Sequence, residues 1–249
     1  MNKSFSYEID RSTVWGLIPA RGGSKSIPMK NVVDLCGRPL IDYVILAAKQ
    51  SKTINRLICS TDNKNIASRV KAHGVEVLGR PELLAGDLTP VLDVFIDMLN
   101  RIGSREKRIA EVLVILQPTS PFLRPQDIDQ AIDLLENDPE ADSVQTITSF
   151  PHNYHAFNQR VIENGWVTFR FPEERKKYFN KNLKPKHYIF GNLIVTRSQT
   201  LLEKKDIFGK RSKYIEIPPQ YALDVDGPAD LDLAKYYLTS GKVQLPWLE

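Results

Sequence analysis

The chain has 249 residues, 42% of them hydrophobic and 26% charged, with 16 prolines and 13 glycines. That composition can fill the core of one large domain and excludes collagen-like repeats, coiled coil and global disorder. The 34 basic against 30 acidic residues leave a net charge of +4, which suits a site for a small anion better than a nucleic-acid surface.

Met1–Trp15 carries Glu8, Asp10 and Arg11 and no apolar run, so neither a signal peptide nor an anchor is expected there. No stretch reaches the ~18 apolar residues of a membrane span. Cys36 and Cys59 make neither a disulfide framework nor a zinc set, and both read as packing residues. The expectation is a cytoplasmic protein with no membrane and no nucleic-acid partner.

In chain order, Val14–Pro19 reads as a buried strand, which leaves residues 1–13 as an N-terminal extension. Pro39–Gln50 has helical periodicity, and Arg56–Ser60 reads as a strand. Ser60-Thr61-Asp62 reads as the cap of a helix over Asn63–His73, which Gly74 closes. Val75–Leu78 is a short strand. Thr89 and Pro90 form an N-cap and N1 pair for a helix running to Arg101. Glu111–Leu116 (EVLVIL) is nearly all apolar, as in a strand covered on both faces. Pro125–Asn137 follows as a helix and Asp142–Thr148 as a strand.

The rhythm breaks at Phe150. From there to about His187 the chain is aromatic and basic, with PHNYHAF, WVTFRF and RKKYFNKNLKPKH, and reads as an irregular or β-rich excursion that packs on a partner subunit. Phe190–Arg197 and Tyr214–Pro218 return to strand, and Pro228–Thr239 is the last helix. Strands alternating with helices predict an α/β fold of three layers around a mostly parallel sheet. Ligands then bind where the loops leave the strand ends on one edge.

Three segments carry chemistry. Directly after the first strand comes IPARGGSKSIPMKN, residues 18–31. Its backbone at Gly22, Gly23 and Ser24 can wrap phosphates while Arg21, Lys25 and Lys30 neutralise them. It is not a P-loop, because Ser24 precedes Lys25 and Pro19 stands where the first glycine is needed; an ordinary glycine turn with solvated lysines is the plain alternative. The second segment is Ala222-Leu-Asp224-Val-Asp226. In extended chain, residues two apart point the same way, so both carboxylates can converge on a hard cation such as Mg²⁺. The alternative is an acidic helix start, which is the reading for Asp230 and Asp232. In the third, LQPTSP, Gln117 ends the central strand and can contact a substrate, or the segment is a plain turn. His152 and His155 have no carboxylate or cysteine partner nearby in sequence, and the basic run of the excursion reads as a solvated face.

Together these segments resemble the acylneuraminate cytidylyltransferases, the CMP-sialic acid synthetases. The resemblance runs from Val14 to about Leu238. It rests on IPARGGSKSIPMKN, on STD at 60–62, on RPELLAGDLT at 80–89, on LQPTSP and on the DVD triplet, all in the family's order. It implies a Rossmann-like nucleotidyltransferase fold over residues 14–249 and a homodimer whose arm, residues 150–188, reaches the neighbouring site. It also implies a reaction in which CTP and a 2-keto sugar acid give a CMP-sugar and pyrophosphate.

By the same resemblance, Arg21 and Lys25 grip the triphosphate, and Lys30 stabilises charge growing at the α-phosphate. Ser24 and Asn31 help hold the nucleotide, and Arg80 with the loop from Ala85 to Thr89 faces the cytosine. Gln117 contacts the sugar acid, and Asp224 and Asp226 hold Mg²⁺. Two positions depart from the family's pattern. Its Asn-Gly-Ala-Ile-Tyr is here Phe190-Gly191-Asn192-Leu193-Ile194, so Asn192 replaces the motif's Asn as a substrate contact from a displaced position. Lys181 or Lys184 is the nearest cation to the family's arm Arg. The acceptor is therefore sialic acid or another nonulosonic acid, with Kdo less favoured. A sugar 1-phosphate nucleotidyltransferase and a non-catalytic nucleotide- or RNA-binding protein are the rival readings.

Overall fold

The computed structural model describes residues 6–248. The strands of the main sheet and the helices follow the expected alternation, and among the described residues there are eleven strands and six α-helices in all. They are β1 (Glu8–Pro19), β2 (Asp34–Leu35), β3 (Arg38–Pro39), α1 (Leu40–Lys49), β4 (Arg56–Thr61), α2 (Lys64–Ala72), β5 (Glu76–Gly79), α3 (Val91–Glu106) and β6 (Arg108–Ile115). Then come α4 (Pro125–Glu136), β7 (Ser143–Thr148), β8 (Arg160–Glu163), β9 (Trp166–Phe169), α5 (Pro172–Lys177), β10 (Ile189–Arg197), β11 (Ser212–Glu216) and α6 (Pro228–Thr239). Seven strands form one sheet in the order β11-β7-β10-β6-β1-β4-β5. All of its pairings are parallel except those of β10, which runs antiparallel to both β6 and β7.

The alternation of side chains along the central strands builds the three layers. Val112, Val114 and Leu116 join Val14 and Ile18 in a core shared with α1, α2 and α4. Leu113 and Ile115 join Trp15 and Leu17 on the opposite face, under Phe95, Met98, Leu99 and Ile102 of α3. Each such buried side chain contributes about 1.5–3 kcal/mol. A third cluster, with Leu35, Tyr43, Phe122, Val225 and Leu231, packs α6 against the β2–β3 hairpin.

Several boundaries differ from expectation. The first strand starts at Glu8, and Glu8–Asp10 pair with Arg108–Ala110 across a bulge before Val14. Of the segment read as an extension, 8–13 therefore belong to the sheet, while 1–5 lie outside the described residues. Thr89 does not cap α3. Pro90 is the extended residue before the helix, and the Thr89 N–H instead turns back to Gly86 O. The helix runs on to Glu106 through Gly103, because the Tyr7 ring packs where a side chain at 103 would stand. Asn63, not the STD triplet, caps α2, accepting from the N–H groups of Asn65 and Ile66 at 2.9 and 3.2 Å.

The aromatic stretch is the expected excursion. Its hairpin, β8–β9, turns on Asn164 and Gly165, both left-handed at φ 52° and 83°, the conformation that Asn-Gly adopts in a two-residue β-turn. His155 stacks on His187 at 4.3 Å and Phe157 on Tyr178 at 5.4 Å, so the excursion carries a small aromatic core of its own.

Candidate active site

Strands β6, β1 and β4 are neighbours, and their C-terminal ends release the loops after Ile115, Pro19 and Thr61 side by side. The loop after Thr61 backs the one after Pro19. The loops after Pro19 and Ile115, with Asp87, Val91 and the segment before α6, enclose a cleft of about 630 Å³. Its walls unite Arg21, Gly23, Ser24, Lys25, Lys30 and Asn31 of the first loop with Gln117, Asp224 and Asp226. Residues more than a hundred positions apart in sequence thus face one ligand-sized space.

The first loop is held from behind. Asn31 is buried, and its Nδ2 donates to Arg21 O at 2.8 Å. The Gly22 N–H donates to Asp62 Oδ1 at 2.8 Å, and a Cβ at Gly22 would lie 2.8 Å from Asn63 Cβ. Gly22 is required by this close approach and does not join the cleft wall; its N–H is already committed. The loop's cations are paired. Arg21 Nη1 and Lys25 Nζ each stand 2.7 Å from a different oxygen of Asp87, and Lys30 Nζ stands 3.2 Å from Asp226 Oδ1.

The period-two argument for the paired aspartates holds in the structure. Val225 is fully buried and its N–H donates to Thr119 O at 2.8 Å, which turns Asp224 and Asp226 together to the cleft. The Asp224 carboxyl is pushed up from its ordinary range, chiefly because close-packed protein strips its water and also because Asp226 is negative. Hydrogen bonding from Thr119 and the charge of Lys30 act the other way. Two carboxylates turned to one cleft beside a lysine suit Mg²⁺, which takes one or two protein carboxylates and completes its shell from phosphates and water. Among the described residues no group of three His, Cys, Asp or Glu offers an all-protein metal site. Asp230 stands in the first turn of α6, as the acidic helix-start reading expects, and its Oδ2 accepts from the Asp226 and Gly227 N–H groups at 3.0 and 2.8 Å.

Other expected residues stand elsewhere. Arg80 lies behind the loop, its guanidinium donating to Ser60 O at 3.0 Å and to Ser60 Oγ at 3.3 Å. Ala85 and Thr89 do not line the cleft, and the loop that contains them reaches it through Asp87. Asn192 is 1% exposed; its Oδ1 accepts from Thr146 Oγ1 at 3.1 Å and its Nδ2 donates to Tyr221 O at 2.8 Å. The displaced Asn is thus a buried bridge between sheet and loop, not the substrate contact read from the motif. Lys181 lines a separate cavity of about 440 Å³ with His152, His155 and Lys184 in the excursion. Burial pushes the Cys59 thiol up to about 12, in keeping with a packing role.

Sequence reasoning missed Asp62, Asp87 and Ser26, whose hydroxyl donates to Asp226 O. Asp62 had a topological signal, since it is the first residue after the strand beside β1. Asp87 lies in the Ala85–Thr89 loop that the resemblance gives to the nucleotide, but its pairing had no signal, because its partners lie more than sixty residues away.

A model of the family described as Cytidylyltransferase matches residues 15–239. The chain belongs to the cytidylyltransferase family. It is 31% identical over 225 residues to N-acylneuraminate cytidylyltransferase A of Danio rerio, covering 88% of this chain and 49% of that protein. It is 30% identical over 225 residues to CMP-N,N'-diacetyllegionaminic acid synthase of Legionella pneumophila, covering 89% of this chain and 94% of that one. The chain therefore spans about half the length of the first relative and nearly all of the second. A solved CMP:2-keto-3-deoxy-manno-octonic acid synthetase complexed with CTP shares the cytidylyltransferase fold at a TM-score of 0.68, with 18% identity, covering 92% of this chain and 100% of that one.

Proposed function

We propose that the protein transfers CMP from CTP to the anomeric hydroxyl of a nonulosonic acid, releasing pyrophosphate. One observation carries the reading: a single cleft joins the cationic loop of Arg21, Lys25 and Lys30 to Gln117 and the Asp224–Asp226 pair. Family membership supports the cytidylyltransferase chemistry. The relatives, which include a legionaminic and a pseudaminic acid enzyme beside the acylneuraminate ones, support a nine-carbon 2-keto acid as acceptor.

In this reading Arg21 and Lys25 hold the β- and γ-phosphates, with N–H groups of the Gly23–Ser24 backbone oriented toward them. Lys30, 15% exposed at its side chain, is sheltered enough to act strongly on charge developing at the α-phosphorus. The acceptor oxygen forms its bond to that phosphorus as the bond to the bridging oxygen breaks; the pyrophosphate leaves with the electron pair and the hydroxyl proton is released. Most of the acceleration comes from alignment and charge neutralisation. Asp224 and Asp226 would hold Mg²⁺, which when bound neutralises phosphate charge. The position of Gln117 in the cleft wall supports its contact with the acceptor.

The active form in this reading is a cytoplasmic homodimer. The excursion exposes Ile162, Trp166, Val167 and Phe179, each more than 60% open, an apolar surface that a second copy would cover. Among the described residues no helix is long and apolar enough to cross a membrane.

The test is product analysis by mass spectrometry after incubating CTP and Mg²⁺ with N-acetylneuraminic, legionaminic or pseudaminic acid, or with Kdo. A CMP conjugate of one nine-carbon acid is the expected product. A conjugate of Kdo alone, or of none, contradicts the proposal.

A further inference from the structure

The carboxylate of Asp87 spends both oxygens on the loop's cations, Oδ1 on Arg21 Nη1 and Oδ2 on Lys25 Nζ, each at 2.7 Å. Two anionic oxygens bridging two neighbouring cations is how a phosphate group engages such a pair. Lys25 first, then Arg21, hold the Asp87 carboxyl below the usual carboxylate range.

The segment that carries Asp87 is weakly tied down. Its hydrogen bonds from Leu84 to Pro81, Ala85 to Glu82 and Thr89 to Gly86 are internal. Leu83 and Leu88 are 89% and 96% exposed, while Leu84 packs on the core beneath α3. Little buried apolar surface opposes a shift of Asp87 away from the loop.

We propose that Asp87 is an internal competitor for the polyphosphate tail, occupying Arg21 and Lys25 in the free protein and re-forming both pairs as pyrophosphate leaves. This rests on the nucleotide reading above. Asp87 thereby sets the affinity of those ligands that use Arg21 and Lys25. CTP and pyrophosphate must displace it, whereas CMP, whose one phosphate belongs beside Lys30, need not. The contact weakens the hold on CTP and speeds escape of the product that most resembles its tail. Both pairs are partly open to water, so each contributes modestly, and the effect expected on binding is about three- to tenfold.

The experiment is calorimetric titration of the full chain and of Asp87→Asn and Asp87→Ala with inorganic pyrophosphate, CTP and CMP. Each is run without divalent metal and again with Mg²⁺. Both variants should bind pyrophosphate and CTP about three- to tenfold tighter, with CMP unchanged within about twofold. Equal tightening of CMP would overturn the proposal, because it would show a general field effect. Weaker binding of pyrophosphate would also overturn it, by making Asp87 a support for the cations or a metal ligand. If the unaltered protein binds CTP and the variants bind it no tighter, the inference fails alone. If the unaltered protein binds neither CTP nor pyrophosphate, the nucleotide reading fails with it.

Discussion

Asp62 accepts the backbone N–H of Gly22 at 2.8 Å, from the turn that follows the strand paired with the loop's own. The same turn places Asn63 against the face of Gly22 where a Cβ would be. The loop after β1 is therefore shaped by the turn between β4 and α2 together with the missing side chain of Gly22. Replacing Asp62 by Ala removes one hydrogen bond to a charged acceptor, about 1–2 kcal/mol. The KM for CTP should rise, by at most about five- to thirtyfold at that magnitude, and the thermal midpoint should fall by a few degrees. Asp62→Asn keeps the acceptor oxygen and should restore most of the affinity. Steady-state kinetics on both variants checks this, and an unchanged KM in Asp62→Ala would contradict it.

Lys30 and Asp226 are paired at 3.2 Å across the cleft, yet their expected effects differ. Lys30→Ala should lower kcat about 10²- to 10³-fold, as loss of a preorganised charge does, while the far-ultraviolet dichroism stays that of the folded protein. Asp226→Asn should leave CTP binding without metal intact and flatten the dependence of rate on Mg²⁺. A full Mg²⁺ response in that variant would remove Asp226 from the metal site.

Asp42 has no exposed surface and is held by the guanidinium of Arg69, with His73 Nε2 3.1 Å away. Removing the arginine leaves a buried carboxylate nearly alone, which costs about 3 kcal/mol. Arg69→Ala should lower the urea midpoint accordingly without altering the KM for CTP of the molecules that remain folded.

Glu106 is held at about 2, first by its hydrogen bonds from Arg56 and further by Arg105, against the opposing effect of burial. Its folded-state value is depressed, so its contribution to stability is fully present above the ordinary value of 4.5. That contribution is lost as pH falls toward about 2. Glu106→Gln should lower stability at neutral pH and flatten the fall in unfolding free energy across that acid window. Urea titrations between those two values check the slope.

The strand-helix alternation and the two central strands were readable because continuous apolar runs mark strands covered on both faces, while the helices repeat at three to four residues. The last helix, α6, runs over the Pro228–Thr239 span read from sequence, because Pro228 suits N1 and Asp230 the first turn. The antiparallel direction of β10 was not readable, since the residues of a buried strand look alike in either direction. Thr89 was misread because an N-cap preference is local, while the loop that contains it is held by Asp87 against the far loop. Arg21, Lys25, Lys30, Asp224 and Asp226 were legible by charge and spacing. Asn192 misled because a polar side chain at a strand end can face substrate or the interior, and only Thr146 and Tyr221 decide which.

The central claim is CTP-dependent activation of a nine-carbon sugar acid at this cleft, and acceptor-dependent pyrophosphate release tests it most directly. The measurement compares CTP, UTP and GTP with Mg²⁺ across a panel of nonulosonic acids and the eight-carbon acid Kdo. Release from CTP with one nine-carbon acid, absent without acceptor and absent with UTP and GTP, is the predicted result. Release that is indifferent to the base or to the acceptor, or no release from any pair, would contradict the account.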